Sequence, residues 1–203
     1  MPRLYLVSPE LDHSSAAEGF AEAITASLRA GDVACLLLHG TDGAAAQRLR
    51  DNAHAQEVAA LWFGKLADSA GFDGLHLEVS ADDAARQIKA ARQALGADAI
   101  VGAGCGFSKH AGMVAGEAGA DYVAFGTLEN PPTQAHLELI SWWREAMEIP
   151  SIGLGAASED DCVAWAQAGA DFIAVGPAFW QEGADAAEIV TRINTLIGGC
   201  EGP

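Results

Sequence analysis

The sequence predicts an α/β fold, a (β/α)8 TIM barrel that forms a single domain over residues 1–203. Three observations carry this. A glycine followed closely by aspartate recurs five times, as Gly31-Asp32, Gly71-Phe72-Asp73, Gly96-Ala97-Asp98, Gly119-Ala120-Asp121 and Gly169-Ala170-Asp171. Glycine just past a helix takes the left-handed conformation that caps it, so each copy closes a helix and opens a strand. The two wide gaps, 31–71 and 119–169, each hold one more short apolar run, Val58 to Phe63 and Pro150 to Gly155, suited to a fully buried strand. With Leu4-Tyr5-Leu6-Val7 at the start, the count reaches eight strands.

Taken in order, the first strand is followed by a helical stripe of Phe20, Ile24 and Leu28, and the second strand starts at Val33 and ends with Leu36-Leu37-Leu38. The third is the run ending at Phe63, and the fourth is Leu75-His76-Leu77 after Gly74. Ile88, Ala91 and Leu95 form the stripe that leads to the fifth strand, which ends near Gly104. Tyr122 to Phe125 is the sixth, the run after Pro150 the seventh and Phe172 to Val175 the eighth, with Ile189, Ile193 and Leu196 striping the last helix.

The length sits near the lower limit for such a barrel and leaves little room for inserted subdomains or a second domain. Half the residues are hydrophobic, yet no run approaches the ~20 apolar residues of a membrane span. The amino terminus has one Arg and a brief apolar run that reaches Pro9, which does not match a secretory signal, so a cytoplasmic protein is expected. Cys35, Cys105, Cys162 and Cys200 stand singly, so neither a metal site nor a disulfide framework is indicated. A net charge of −17 argues against nucleic acid and anionic membranes as partners.

In this architecture chemistry gathers on the loops after the carboxyl ends of the strands. Those loops begin at Ser8, His39-Gly40-Thr41-Asp42, Gly64-Lys65, Glu78, Gly104, Gly126, Gly155 and Gly176. Gly155, Ala156 and Ala157 after strand seven, with Gly176 and Ala178 after strand eight, suit backbone binding of a phosphate, because small residues let N–H groups approach an anion. Ser158 with Asp161 three residues on reads as a helix start. Pro177, which lacks an N–H, and the charge of Glu182 weigh against the anion.

The catalytic assignment is open among a few candidates. His39 closes strand two at the rim and is the histidine best placed to touch a ligand. His76 and Glu78 alternate onto one side of strand four, either as an acid/base pair at the mouth or with His76 as a hydrogen-bonded interior residue. Lys109, behind a Ser108 cap, either faces an anionic ligand or lies on the surface. Cys105 is read as an unreactive thiol, Trp180 as a lid over the mouth, and the Trp142-Trp143 pair as core or as a surface for self-association.

The runs Leu4-Tyr5-Leu6-Val7, Asp73-Gly74-Leu75-His76-Leu77, Gly119 to Gly126 and Gly169 to Val175 occur in one order, and on them the chain resembles the thiamine phosphate synthase family, which includes the related thiazole tautomerases. The resemblance spans nearly the whole chain and implies the same barrel. In the synthases a phosphorylated thiazole attacks a pyrimidine methyl diphosphate, Mg²⁺ neutralises the leaving diphosphate, and thiamine phosphate results.

At the rim the chain departs from that pattern. The family's Gln-x-Arg-x-Lys run after strand two is Leu36-Leu37-Leu38-His39-Gly40 here, its Asn-Asp after strand three is Leu61-Trp62-Phe63-Gly64, and its Gly-Gln-x-Asp after strand four is Glu78-Val79-Ser80-Ala81 with Asp82 and Asp83 displaced into the next helix. Its Ser-x-His after strand five is Gly104-Cys105-Gly106, its lysine-bearing loop after strand six has none, and the tautomerase histidine falls at Thr127. Of the basic side chains only Lys65 and Lys109 reach the expected rim, little with which to stabilise a departing diphosphate. The reading that follows is a family barrel that binds a small phosphorylated ligand, thiazole- or pyrimidine-phosphate-like, at the strand seven and eight rim. Two alternatives stay open: an active synthase with a rebuilt site, for which alone Mg²⁺ is expected, and a non-catalytic binding or regulatory protein.

Overall fold

The computed structural model describes residues 1–12, 15–41, 43–180 and 185–200, with only the backbone described for 15–19 and 22. Asp42 and Glu182 lie outside the described residues. Eight strands close into one barrel in chain order: β1 Arg3–Val7, β2 Val33–Leu38, β3 Ala59–Phe63, β4 Gly74–Glu78, β5 Ile100–Gly104, β6 Tyr122–Phe125, β7 Ser151–Ala156 and β8 Phe172–Val175. Every neighbouring pair is parallel, and β8 closes the ring on β1 with Leu4 opposite Ile173. Outside lie α1 Ser15–Leu28, α2 Gly43–His54, α3 Ala84–Leu95, α4 Lys109–Glu117, α5 Gln134–Ala146, α6 Glu159–Ala168 and α7 Ala186–Gly198. None of these helices is long and apolar enough to cross a membrane.

The alternation is broken once. Between β3 and β4 the chain returns through a single 3₁₀ turn, Leu66–Asp68, because segment 64–73 is too short to hold a full helix and its two connections. The α7 stripe also differs from expectation. Leu196 is 39% exposed, and the buried face is Ala186, Val190, Ile193 and Ile197, the set that 3.6-residue periodicity aligns.

Strand alternation sorts the core into two layers. Leu4, Leu6, Leu36, Leu38, Trp62, Leu75, Leu77, Val123 and Phe125 point outward and pack beneath the helices. Tyr5, Val7, Cys35, Leu37, Leu61, Tyr122, Ala124, Ile152, Leu154 and Ala174 fill the lumen. Trp143 belongs to the outer core, its indole N–H donating to Ile149 O at 2.9 Å, whereas Trp142 is half-buried beside it.

The recurring aspartates have a common task at the amino-terminal end of the barrel. Asp73 accepts the N–H of Ala60 at 2.7 Å, Asp121 that of Val101 at 2.7 Å, and Asp171 that of Ser151 at 2.8 Å, so each fastens its own strand to the preceding one. Arg92 grips Asp121 from α3, and His54 meets Asp73. Asp32 instead pairs with Arg3 across β1 and β2. Gly71, Gly96, Gly119 and Gly169 have φ of 85°, 90°, 99° and 96°, the positive region the capping argument asks for, but Gly31 is not among the positive-φ glycines and Gly71 follows a 3₁₀ turn, so not every copy closes a helix as expected.

Candidate functional site

Inward positions on β1, β4 and β6 place a line of polar groups in an otherwise apolar lumen. Tyr5 and Tyr122 share a hydrogen bond between their hydroxyls at 2.8 Å, and the Tyr122 hydroxyl lies 2.8 Å from His76 Nδ1. All three are buried, so their polar atoms have partners in place of water. Burial pushes both phenols well above their usual range, which keeps them neutral. Glycines make the space: a Cβ on Gly102 would stand 2.0 Å from Tyr122 Cζ, and one on Gly104 would stand 2.5 Å from Glu78 Oε1 and 2.9 Å from His76 Nε2. At the upper end Glu78 Oε1 is 3.8 Å from His76 Nε2, an electrostatic contact beyond hydrogen-bond length, and the Glu78 side chain is 57% exposed. The structure therefore places His76 inside and Glu78 at the mouth, in contact with each other.

His39 sits at the rim next to this line. Its Nε2 donates to Ser8 O at 3.0 Å, since a carbonyl only accepts. Phe63 lies between the two histidines, with ring centroids 5.7 Å from His39 and 5.5 Å from His76. The result is a ring-lined wall over β2, β3 and β4 with a carboxylate at its edge.

Across the mouth, Gly155, Ala156, Ala157, Gly176 and Ala178 converge on one cavity of about 40 Å³, closed further by Leu128, Glu129, Ala174 and Pro177. The volume holds a water molecule or two. Gly155, at φ 82°, lies against the β6 loop: a Cβ there would stand 2.0 Å from Asn130 O. Ser158 caps α6 as expected, and Asp161 turns back to accept the N–H of Ala157 at 3.0 Å and the Ser158 hydroxyl at 2.9 Å. The Ala157 amide thus already faces a carboxylate. Trp180 donates its indole N–H to Val7 O at 2.8 Å and meets Phe20 edge-on, which ties the turn after β8 to the end of β1.

Lys109 is not brought to this cavity. Its Nζ sits 4.1 Å from the centroid of the Trp142 ring on α5, a cation–π contact in the helix layer. Burial raises the Cys105 thiol to about 12, consistent with an inert side chain. Among the described residues no three His, Cys, Asp or Glu side chains come together. Asp83 stands at the N-cap position of α3 without a side-chain capping bond; its carboxylate, held below its usual range by the backbone N–H and then the hydroxyl of Ser80, turns back onto that residue.

Three lining residues, Tyr5, Phe63 and Tyr122, were not singled out from the sequence as site residues. The signal was present in strand alternation, which puts Tyr5 on the same face as Val7 and Tyr122 on the same face as Ala124.

A family model described as thiamine monophosphate synthase matches residues 4–179. A thiamine-phosphate synthase of Rhodospirillum centenum is 39% identical over 97% of this chain and 98% of its own, and one of Hyphomonas neptunium is 36% identical over 96% and 93%. Among solved structures, a thiamine phosphate pyrophosphorylase of Pyrococcus furiosus superposes with a TM-score of 0.75 at 18% identity, covering 97% of this chain and 95% of that one. A geranylgeranylglyceryl phosphate synthase of Thermoplasma acidophilum, solved with sn-glycerol-1-phosphate, gives 0.73 at 18% identity, covering 97% and 93%; these two likenesses speak for the barrel alone.

Proposed function

Because the chain belongs to the thiamine monophosphate synthase family, we propose that its mouth receives a small phosphorylated ligand of thiamine phosphate formation, a thiazole or pyrimidine monophosphate. The observation that supports this most is the convergence of small residues from two separate strand ends, Gly155, Ala156, Ala157, Gly176 and Ala178, on one cavity at the carboxyl end of the barrel. The phosphate approaches their backbone, and the heterocycle lies across the mouth toward Phe63 and His39. Entry displaces the Leu128-Glu129 segment outward, since the cavity is smaller than a phosphate group. A diphosphate is the poorer guest. Glu129 lines the cavity, Asp161 already holds the Ala157 amide, and Lys109 is held on Trp142, which leaves little positive charge among the described cavity residues to clamp a leaving diphosphate. The chain's own residues bind and orient; His39, His76 and Glu78 remain the candidates for any proton transfer, while Lys109 rests on Trp142. A cytoplasmic location goes with this reading.

A second reading, an active synthase, is favoured by the full-length match to relatives that bear that name. Two measurements separate them. A monophosphate at a hundred times its Kd adds about 2.7 kcal/mol to native stability, an upward shift in Tm of roughly 5–11 °C for a domain of this size. The Gly176→Ala variant tests the location, because a Cβ there meets only Val7 Cβ at 3.9 Å and leaves the fold undisturbed while narrowing the cavity. Binding by the wild type and its loss in Gly176→Ala is the expected result, and no shift with either monophosphate overturns the proposal. Thiamine phosphate formed from thiazole phosphate and pyrimidine diphosphate with added Mg²⁺ would establish the second reading.

A further inference from the structure

The hydrogen-bonded line through the lumen has a direction, and Glu78 sets it. A carboxylate only accepts, so the nitrogen that faces it, His76 Nε2 at 3.8 Å, is the one that carries the proton. With a single N–H on Nε2, the ring leaves Nδ1 as the acceptor. The Tyr122 hydroxyl, 2.8 Å away, must then donate to Nδ1, and its oxygen accepts the Tyr5 hydroxyl at 2.8 Å. Run the other way, an imidazole lone pair would face the carboxylate, a repulsion that solvent around the exposed Glu78 screens only in part. Buried networks of this kind hold their members in one arrangement when every link is made.

We propose that Tyr5 and Tyr122 are positioning residues that hold His76 as the Nε2–H tautomer, and that His76 in turn orients the Glu78 carboxylate at the mouth as acceptor for an N–H or O–H on the ring of the ligand. The ligand half of this deepens the proposed function and rests on it; the tautomer half does not. The placement of Glu78 supports the ligand half: its carboxylate is exposed at the edge of the ring-lined wall, and the one ion-pair contact it makes among the described residues is with the histidine 3.8 Å behind it.

The tautomer is read from the nitrogen resonances of the His76 ring in the full-length protein by long-range ¹H–¹⁵N correlation, with no ligand present. The wild type is expected to show Nε2 protonated and Nδ1 bare. Tyr122→Phe keeps the ring but removes the donor to Nδ1, and a substantial Nδ1–H population is expected to appear. If Tyr122→Phe does not fold, Glu78→Gln, at an exposed side chain, decides the same question by removing the charge that selects Nε2. A wild-type Nδ1–H tautomer, or no change in whichever variant is read, overturns the relay. Calorimetric titration tests the ligand half with a pyrimidine monophosphate and with inorganic phosphate: Glu78→Gln is expected to weaken the former about tenfold, the loss of one charge-assisted hydrogen bond, and the latter not at all. Equal effects on both overturn that half. A wild type that binds neither removes it together with the proposed function, while the resonances still decide the relay.

Discussion

Replacing Gly102 by alanine tests how tightly the lumen is built around its polar line. The added Cβ would lie 2.0 Å from Tyr122 Cζ, 2.2 Å from its hydroxyl oxygen and 2.4 Å from Cε2, against an ordinary carbon contact of about 3.5–4.0 Å. The Tyr122 ring therefore has to retreat by roughly 1.5 Å. That displacement takes its hydroxyl out of reach of Tyr5 and His76, each now at 2.8 Å. Overpacking costs about 1–3 kcal/mol and two lost hydrogen bonds about 1 kcal/mol each, while the stiffer unfolded chain returns at most about 1 kcal/mol. The net loss is about 2–4 kcal/mol, or roughly 4–16 °C in Tm for a domain of this size. Urea unfolding followed by tryptophan fluorescence measures it. The double variant Gly102→Ala with Tyr122→Leu, in which the ring that clashes is gone, should lose much less than the sum of its parts. A Gly102→Ala protein within 0.5 kcal/mol of the wild type would refute the reasoning.

Other outcomes follow from the same geometry. Asp121→Ala strips the Val101 N–H of its partner and should cost about 1–3 kcal/mol in urea unfolding, whereas Asp98→Ala, at an exposed position, should stay within about 0.5 kcal/mol. Burial holds the Cys105 and Cys162 thiols protonated to about 12, while unfolded thiols ionise near ~8.5. In that window the native state binds more protons than the unfolded one, so stability is unaffected by these groups at lower pH and falls as pH rises through it, as denaturation midpoints across an alkaline series would show. Under native conditions at pH 8, mass spectrometry after mild alkylation should find label on Cys200, the one cysteine that is not buried, before Cys35, Cys105 or Cys162. Lys109→Ala should leave monophosphate affinity within about twofold, because its ammonium is engaged by Trp142; a larger loss would return that lysine to the site.

Five strands were legible because a glycine–aspartate turn precedes a short apolar run, and the other three as apolar runs alone, signals local enough to read without a partner. The missing helix between β3 and β4 was not, since Leu66–Asp68 and its flanks carry no feature that distinguishes one 3₁₀ turn from a frayed helix. At the rim, position in sequence brought Gly155 and Gly176 together correctly, because strand order alone makes them neighbours. The direction of a long side chain does not follow from order. Lys109 begins α4 as expected, yet where its ammonium rests depends on Trp142, thirty-odd residues away on another helix. The aspartates show the same limit from the other side: the turn was legible, but the amide each carboxylate holds lies on a neighbouring strand.

Those carboxylates give the barrel an uneven tolerance to change. Asp73, Asp121 and Asp171 clasp the staves at the end remote from the mouth, so part of the fold's resilience is invested away from the loops of the proposed site. Loops at the opposite end can then drift, gaining or discarding charged side chains, with little penalty to assembly. A lineage with such a hoop is free to change its chemistry before its architecture.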